Sequence, residues 1–218
     1  MSGRVSRLAV FLAFVLYSPP LPAAPNVTFE RNAIRADGIT PGAQAICFVV
    51  AQKGNNHDFT VIQREIAARD EDRNGVVTFA LGDPVVFHSI AAVADLSTGE
   101  VSIATPSGLE QKLAADAGIV RPGGAGRLSE LSLRADAIEI LVVRANAGAW
   151  RARAIEGGKR DKDGARNGVL AVGVEQLSPV GHSAAAPAHF VPGDFIVLIE
   201  PRRMQFAIVR VAAGEGVR

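Results

Sequence analysis

The sequence predicts an all-β protein built from two similar β-sandwiches that are joined by a linker. Three observations predict this fold. From residue 27 onward, short apolar runs alternate with turn residues at intervals of roughly ten residues. Near the middle, a stretch rich in glycine and proline interrupts this rhythm. The order of apolar runs and polar loops then recurs, so that Asn74 and Asn167 occupy matching places 93 residues apart.

The first 24 residues are typical of a secretory signal peptide. Arg4 and Arg7 supply a positive start, residues 8–17 form an unbroken apolar run, and small residues suited to cleavage follow at 19–24. Neither this run nor any later stretch approaches the roughly 20 residues that a transmembrane helix needs. We therefore expect a periplasmic or extracellular protein with no membrane span once the signal is removed.

Composition argues against several classes of partner. Without Arg4 and Arg7, the chain carries 21 Lys and Arg against 22 Asp and Glu, so no global basic field attracts nucleic acid. After the signal the chain keeps one tryptophan and no tyrosine, whereas surfaces that bind sugars or single strands usually rely on several aromatic faces. Nucleic acid is therefore not an expected partner.

The single cysteine, Cys47, excludes an internal disulfide. Its neighbours are apolar, and the sequence supplies no nearby base of the kind that a nucleophilic thiol needs. We therefore expect Cys47 in a buried strand.

The first predicted domain comprises residues 25–105. Its strands are predicted at 27–29, 34–36, 45–51, 59–68, 76–81, 87–96 and 100–105. The continuous apolar run 45–51 predicts a strand that is buried on both faces. Seven strands in about 80 residues, separated by regular turns, are typical of an immunoglobulin-like sandwich.

A predicted linker at residues 106–127 separates this domain from the second one at 128–218. The linker opens with Pro106-Ser107-Gly108 and closes with Pro122-Gly123-Gly124-Ala125-Gly126, and between them residues 109–117 are long enough for two helical turns. The second domain repeats the first, with apolar runs at 138–143, 149–155, 169–174, 195–200 and 204–212. A duplication of one unit explains this match in order and spacing. The alternative is that any two β-sandwiches show a similar alternation of polar and apolar residues.

Two acidic loops occupy matching places in the repeat. The first offers Asp70, Asp72 and Asn74 as oxygen ligands, and the second offers Asp161, Asp163 and Asn167. Calcium binds carboxylate oxygens at alternate positions beside a glycine, and the second loop resembles the short calcium loops of thrombospondin type 3 repeats. Both loops are therefore candidate calcium sites.

The alternative is a purely structural hairpin loop. The twelfth position from Asp70 is Leu81, so the bidentate acid of a full calcium loop is missing. Arginine and lysine residues flank or interrupt both loops, and their positive charge opposes the binding of a calcium ion. In this interpretation Asn-Gly supplies the left-handed residues, and the aspartates cap backbone N–H groups.

No catalytic constellation is evident in the sequence. The four histidines are His57, His88, His182 and His189, and none has close zinc-ligand spacing with a third ligand. His182-Ser183 lacks the local motif of a nucleophile elbow. Residues 151–166 are rich in arginine and lysine, which suits either an anion-binding face for envelope polymers or a solvated strand edge.

Turn motifs carry a resemblance to a known group of proteins. Gly38-Ile39-Thr40-Pro41-Gly42, Asn74-Gly75-Val76 and Asp95-Leu96-Ser97-Thr98-Gly99 are similar to the turns of immunoglobulin-like or fibronectin-type modules of bacterial exported proteins. The resemblance implies adhesive, scaffolding or enzyme-accessory roles and carries over no catalytic residue.

We therefore predict an exported, non-catalytic binding or structural module whose partner is a protein or an envelope polymer. Two alternatives stay open. One is a hydrolytic enzyme with its site between the domains, built from His182, His189 and the acidic loop at 161–163. The other is a subunit of a larger envelope assembly that uses an exposed sheet edge.

Overall fold

The computed structural model describes residues 23–54, 59–83, 88–106, 121–123, 127–132, 137–155 and 169–211. The described strands are β1 (Asn26–Phe29), β2 (Ala33–Asp37), β3 (Gln44–Gly54), β4 (Phe59–Arg69), β5 (Val76–Ala80), β6 (Ser89–Asp95), β7 (Val101–Ala104), β8 (Arg121–Gly123), β9 (Arg127–Ser132), β10 (Ala137–Arg144), β11 (Gly148–Ile155), β12 (Val169–Gly173), β13 (Ser178–Pro179), β14 (Phe195–Glu200) and β15 (Gln205–Arg210). A short 3₁₀ helix, η1, spans Val174–Gln176. In this part of the chain no helix has the length and apolar character needed to cross a membrane. The all-β prediction is confirmed.

The first seven strands form two antiparallel sheets. One has the order β1-β2-β5, and the other has the order β4-β3-β6-β7. The inner strand β3 pairs on both sides, so that Cys47 lies opposite Ile66 on β4 and Val93 on β6. The most apolar strands of this half therefore lie inside a sheet rather than at its edge.

The remaining strands repeat this division. One sheet has the order β8-β9-β12, and the other has the order β13-β11-β10-β14-β15. Apart from the short strand β13, the first, second and fifth strands of each half share one sheet. The third, fourth, sixth and seventh strands share the other. Both halves therefore assign their strands to two sheets in the same way.

The predicted strands agree with described strands to within a few residues, but three described strands, β8, β9 and β13, were not predicted. β8 and the first residue of β9 lie inside the predicted linker 106–127. Arg121–Gly123 forms β8, and β9 already begins at Arg127. Because proline and glycine are rare in strands, β8 is not predicted from its residue types. Pro122 is tolerated there because β8 lies at a sheet edge. The two helical turns predicted at 109–117 lie outside the described residues.

Apolar layers join the sheets face to face. The first core lies between β1-β2-β5 and β4-β3-β6-β7, and the central core lies between the two larger sheets. A third core covers the far face of β10, β11 and β14. The central core contains Ile46, Phe48, Val50, Ile90, Ala92 and Ala94 from the first half, with Leu141, Val143, Val180, Val197, Ile199 and Phe206 from the second. The two halves therefore share a hydrophobic core.

The central core explains why β3 is apolar at successive positions. Within residues 45–50, the odd-numbered side chains enter the first core and the even-numbered side chains enter the central core. Because a strand alternates its faces, a strand covered on both faces loses the usual polar positions. The prediction that this strand is buried on both sides is confirmed.

Cys47 illustrates the same burial at one residue. Its side chain is fully buried in the first core. Burial raises the pKa of the Cys47 thiol to about 12, so the sulfur stays protonated and unreactive at neutral pH. The expected structural role of this cysteine is confirmed.

Candidate functional site

The first acidic loop, residues 70–75, joins β4 to β5. The side chain of Asp70 is buried, and both of its carboxylate oxygens accept hydrogen bonds from backbone N–H groups. Oδ2 accepts from Gly42 and Gly75 at 3.0 Å each, and Oδ1 accepts from Asn74 at 3.2 Å. Asp70 thereby ties its own loop to the turn that precedes β3.

Opposing effects set the charge of Asp70. Burial raises the pKa of this carboxyl group, but the hydrogen bonds from the N–H groups of Gly42, Gly75 and Asn74 outweigh burial. The pKa of Asp70 is therefore lowered. The carboxylate is ionised at neutral pH, with its charge balanced by nearby N–H dipoles.

The other two predicted ligands of this loop also make local hydrogen bonds. Asp72 accepts from Nδ2 of Asn74 at 2.7 Å, and Oδ1 of Asn74 accepts from the N–H of Val76 at 2.8 Å. The left-handed residues are Arg73, with φ 57°, and Gly75, with φ 79°, rather than the Asn-Gly pair. The side chain of Asn74 makes an Asx-type turn, and the left-handed conformation lies at Arg73, the residue before it.

The side-chain oxygens of this loop therefore accept hydrogen bonds from nearby protein groups, most of them backbone N–H groups. In the described ranges, no three or more His, Cys, Asp or Glu side chains are placed to hold a metal ion. The second set of predicted calcium ligands, Asp161, Asp163 and Asn167, lies outside the described residues.

The last hairpin of each half has one buried acid at the end of its first strand. Asp95 ends β6 and Glu200 ends β14, and both side chains are buried. Asp95 accepts from the N–H groups of Thr40 at 2.7 Å and Ser97 at 2.8 Å, while Glu200 accepts from Arg202 at 3.0 Å. Burial raises the pKa of Asp95, but hydrogen bonds from Thr40 and Ser97 outweigh it and lower the pKa. Sequence reasoning missed both acids, although each directly precedes a turn.

A polar cleft of about 400 Å³ opens at one end of the central core. Its walls come from both halves of the chain: Gly42, Ala43, Gln44, Arg69, Leu96 and Ser97 from the first, and Asn146, Ala147, Gly148, His182 and Ser183 from the second. None of these described lining residues is acidic, and Arg69 contributes the single permanent cation. The cleft is therefore a concave, shared surface with a positive side chain.

Backbone contacts hold the two walls together. The N–H of Asn146, in the turn between β10 and β11, donates to the carbonyl of Leu96 at 2.7 Å. A Cβ atom on Gly99 would lie 3.0 Å from the backbone nitrogen of Ala145. The absence of a side chain at Gly99 therefore permits this close approach.

One predicted catalytic histidine reaches the cleft. His182 lines it beside Ser183, whose Oγ accepts a hydrogen bond from the N–H of Ala149 at 2.9 Å. His189 does not line it, and its carbonyl oxygen accepts from Nη2 of Arg144 at 2.8 Å. The described structure therefore places His182 in the cleft without His189.

Of the remaining predicted candidates, only His88 is described. It is exposed, directly precedes β6 and does not line the cleft. His57 and the acidic residues 161–163 lie outside the described residues.

A cluster around Arg144 anchors residues 184–194, which follow His182 along the chain. The Nε and Nη2 atoms of Arg144 each donate to the buried carboxylate of Asp194 at 2.8 Å. The same guanidinium lies 5.8 Å from the ring centroid of Trp150, whose Nε1 donates to the carbonyl of Ala184 at 2.8 Å. This cluster fixes both ends of residues 184–194, and the sequence gives no sign of the pairing.

Polar side chains on β4, β10 and β11 form contacts within the second half and between the halves. Arg151 on β11 pairs with Glu65 on β4, and Nε of Arg153 lies 3.2 Å from a carboxylate oxygen of Glu139. Gln63 on β4 donates to the same buried Glu139. Arg151 and Arg153 belong to the basic stretch 151–166, and each is paired with an acid while its side chain stays more than two-fifths exposed. Residues 156–166 lie outside the described residues.

Comparisons with protein-family models, with curated proteins and with solved structures find no match to this chain.

Proposed function

We propose that the chain is an exported, non-catalytic binding or structural module made of two immunoglobulin-like β-sandwiches. Apart from the short strand β13, each half divides seven described strands between two antiparallel sheets in the same order, and such a division is typical of immunoglobulin-like architecture. The shared order supports a duplicated unit. The signal-like residues 1–24 support export.

The observation that carries a binding role is the cleft between the halves. Loops at the ends of β-sandwiches commonly bind ligands, because the strands hold them rigidly while their side chains stay exposed. Here the loops of two sandwiches meet, and the shared central core fixes their spacing. A ligand in the cleft would contact both halves at once.

The cleft chemistry favours binding over catalysis. A serine nucleophile needs a base beside its hydroxyl and an acid to orient that base. The Oγ of Ser183 already accepts the N–H of Ala149, and no acidic residue appears among the described lining residues to orient His182. These features support a site that holds a ligand unchanged.

A cleft-blocking variant tests this proposal. Ala147 is exposed in the turn between β10 and β11 and lines the cleft, so Ala147→Trp would fill part of it. Ala80, exposed at the end of β5 and absent from the lining, offers Ala80→Trp as a matched control. The mature protein and both variants would be used as bait against an envelope extract of the source cells.

We expect the wild type and Ala80→Trp to retain the same partner or polymer, and Ala147→Trp to lose it. Equal retention by all three proteins would place the binding surface elsewhere. A hydrolytic activity that disappears in His182→Ala would favour the enzyme alternative over a binding module.

A further inference from the structure

Arg69 gives the cleft its chemical character. Its Nε donates to the carbonyl oxygen of Gly42 at 2.9 Å, which fixes the guanidinium against one wall. Its side chain is exposed and lines the cleft. None of the described acids forms an ion pair with it. The terminal nitrogens of Arg69 are therefore available to a ligand, in the planar arrangement that suits carboxylate or phosphate.

The wall contributed by the second half supplies hydrogen-bond donors. Since the Oγ of Ser183 accepts the N–H of Ala149, the hydroxyl proton of Ser183 is left to donate to another acceptor. His182 and the side-chain amide of Asn146 line the same wall. A ligand oxygen between the walls would thus meet a cation on one side and donors on the other.

Two acids lie behind the cleft walls, and both are committed to backbone groups. Asp70 accepts the N–H of Gly42, and Asp95 accepts the N–H of Ser97. Each carboxylate also accepts hydrogen bonds from further donors. Because these N–H dipoles offset much of their charge, Arg69 remains the dominant charge that faces the cleft.

We propose that the cleft binds the carboxylate or phosphate group of an anionic ligand. Arg69 is the charged contact, and Ser183 and His182 are the hydrogen-bond donors from the second half. This inference rests on the proposed function, because it names the ligand chemistry of the same cleft. It also assigns different roles to the two halves: the first half supplies the permanent charge, and the second half supplies the other hydrogen-bond donors.

Amide NMR titration of the intact mature protein with inorganic phosphate, and separately with acetate, tests the inference. Arg69→Gln removes the charged contact. Arg31→Gln, at an exposed residue before β2 that does not line the cleft, makes the same change in net charge. Arg69→Lys keeps the charge without the planar fork. Melting curves of each variant verify that it is folded.

We expect at least one anion to shift the amide signals of Ala147 and Gly148 in the wild type and in Arg31→Gln. Since a hydrogen bond to a charged group is removed, Arg69→Gln should bind about tenfold more weakly or worse, and Arg69→Lys should be intermediate. The tighter of the two anions identifies whether phosphate or carboxylate is the natural group.

Three outcomes would overturn the inference: no shifts with either anion, equal affinity in Arg69→Gln, or equal weakening in Arg31→Gln. These failures are separable from failure of the proposed function. If Ala147→Trp loses the envelope partner while Arg69→Gln retains it as well as the wild type does, the cleft binds through other chemistry.

Discussion

Single buried acids organise the loops of this chain. Asp70 was predicted from its spacing as a calcium ligand, yet in the structure both its oxygens accept backbone N–H groups. The same spacing suits both roles, because carboxylate oxygens bind a cation or N–H donors equally well in geometric terms. The direction and burial of the side chain decide between them, and neither property can be read from the sequence.

Replacing Asp70 tests this structural role. Asp70→Ala leaves the N–H groups of Gly42 and Gly75 without their acceptor, so we expect the melting temperature to fall by several degrees. Asp72→Ala, at an exposed neighbour, should change it far less. The measurement is thermal unfolding by circular dichroism, with calcium and with chelator.

For the wild type and for Asp72→Ala, we expect calcium and chelator to give the same melting temperature. A calcium-dependent rise that is lost in Asp70→Ala would restore the metal interpretation of the first loop. A rise that is lost instead in Asp163→Ala would place calcium at the second loop.

Asp95 contributes to the pH dependence of stability. Its folded pKa is lowered, so its contribution is fully present above the ordinary carboxyl pKa of about 3.9 and is lost as pH falls through the lowered value. Asp95→Asn should be less stable by about 1.5 kcal/mol at pH 7. The difference from wild type should shrink as the pH falls below about 4 and through the lowered folded pKa of Asp95.

Urea unfolding at several pH values measures this difference. Glu71→Gln, an exposed acid in the first acidic loop, serves as the control and should follow the wild-type profile. A constant gap between Asp95→Asn and wild type across the acid range would show that the charge of Asp95 contributes nothing.

At the scale of strands and hairpins, the sequence was most informative where a local pattern decides the structure. The continuous apolar run at 45–51 predicted β3 and its two buried faces, since such a run leaves no solvent face. The strand β8 escaped prediction because Pro122 and Gly123 are poor strand formers. The pairing of Arg151 with Glu65 could not be foreseen, since it depends on which sheets face each other.

Close packing between hairpins depends on Gly99. Its φ is +76°, and a Cβ there would lie 3.0 Å from the backbone of Ala145 in the other half. Gly82 has nearly the same φ, +78°, but a Cβ there would meet nothing within 4 Å. Both Gly→Ala changes therefore cost about 1 kcal/mol of backbone strain, and Gly99→Ala adds an overpacking cost of about 1–3 kcal/mol.

Chemical denaturation of the two variants measures the difference directly. We expect Gly99→Ala to be clearly less stable than Gly82→Ala. Equal stability would mean that the two hairpins are not in close contact in solution.

At the scale of the whole molecule, the central core makes the two halves interdependent. The larger sheet of the first half buries Phe48 and Ile90 against Leu141 and Val197 of the second. Separating the halves would expose these side chains to water, at about 25 cal/mol for each Å² of apolar surface. The halves therefore differ from independent domains that are joined only by a flexible linker. The cleft keeps its shape because the central core holds its two walls together.

Scanning calorimetry of the intact mature protein tests this interdependence most directly. We expect one unfolding transition whose calorimetric enthalpy equals its van't Hoff enthalpy, because loss of the central core exposes both halves together. Two resolved transitions, or a van't Hoff enthalpy near half of the calorimetric value, would show that the halves unfold independently and would contradict the account.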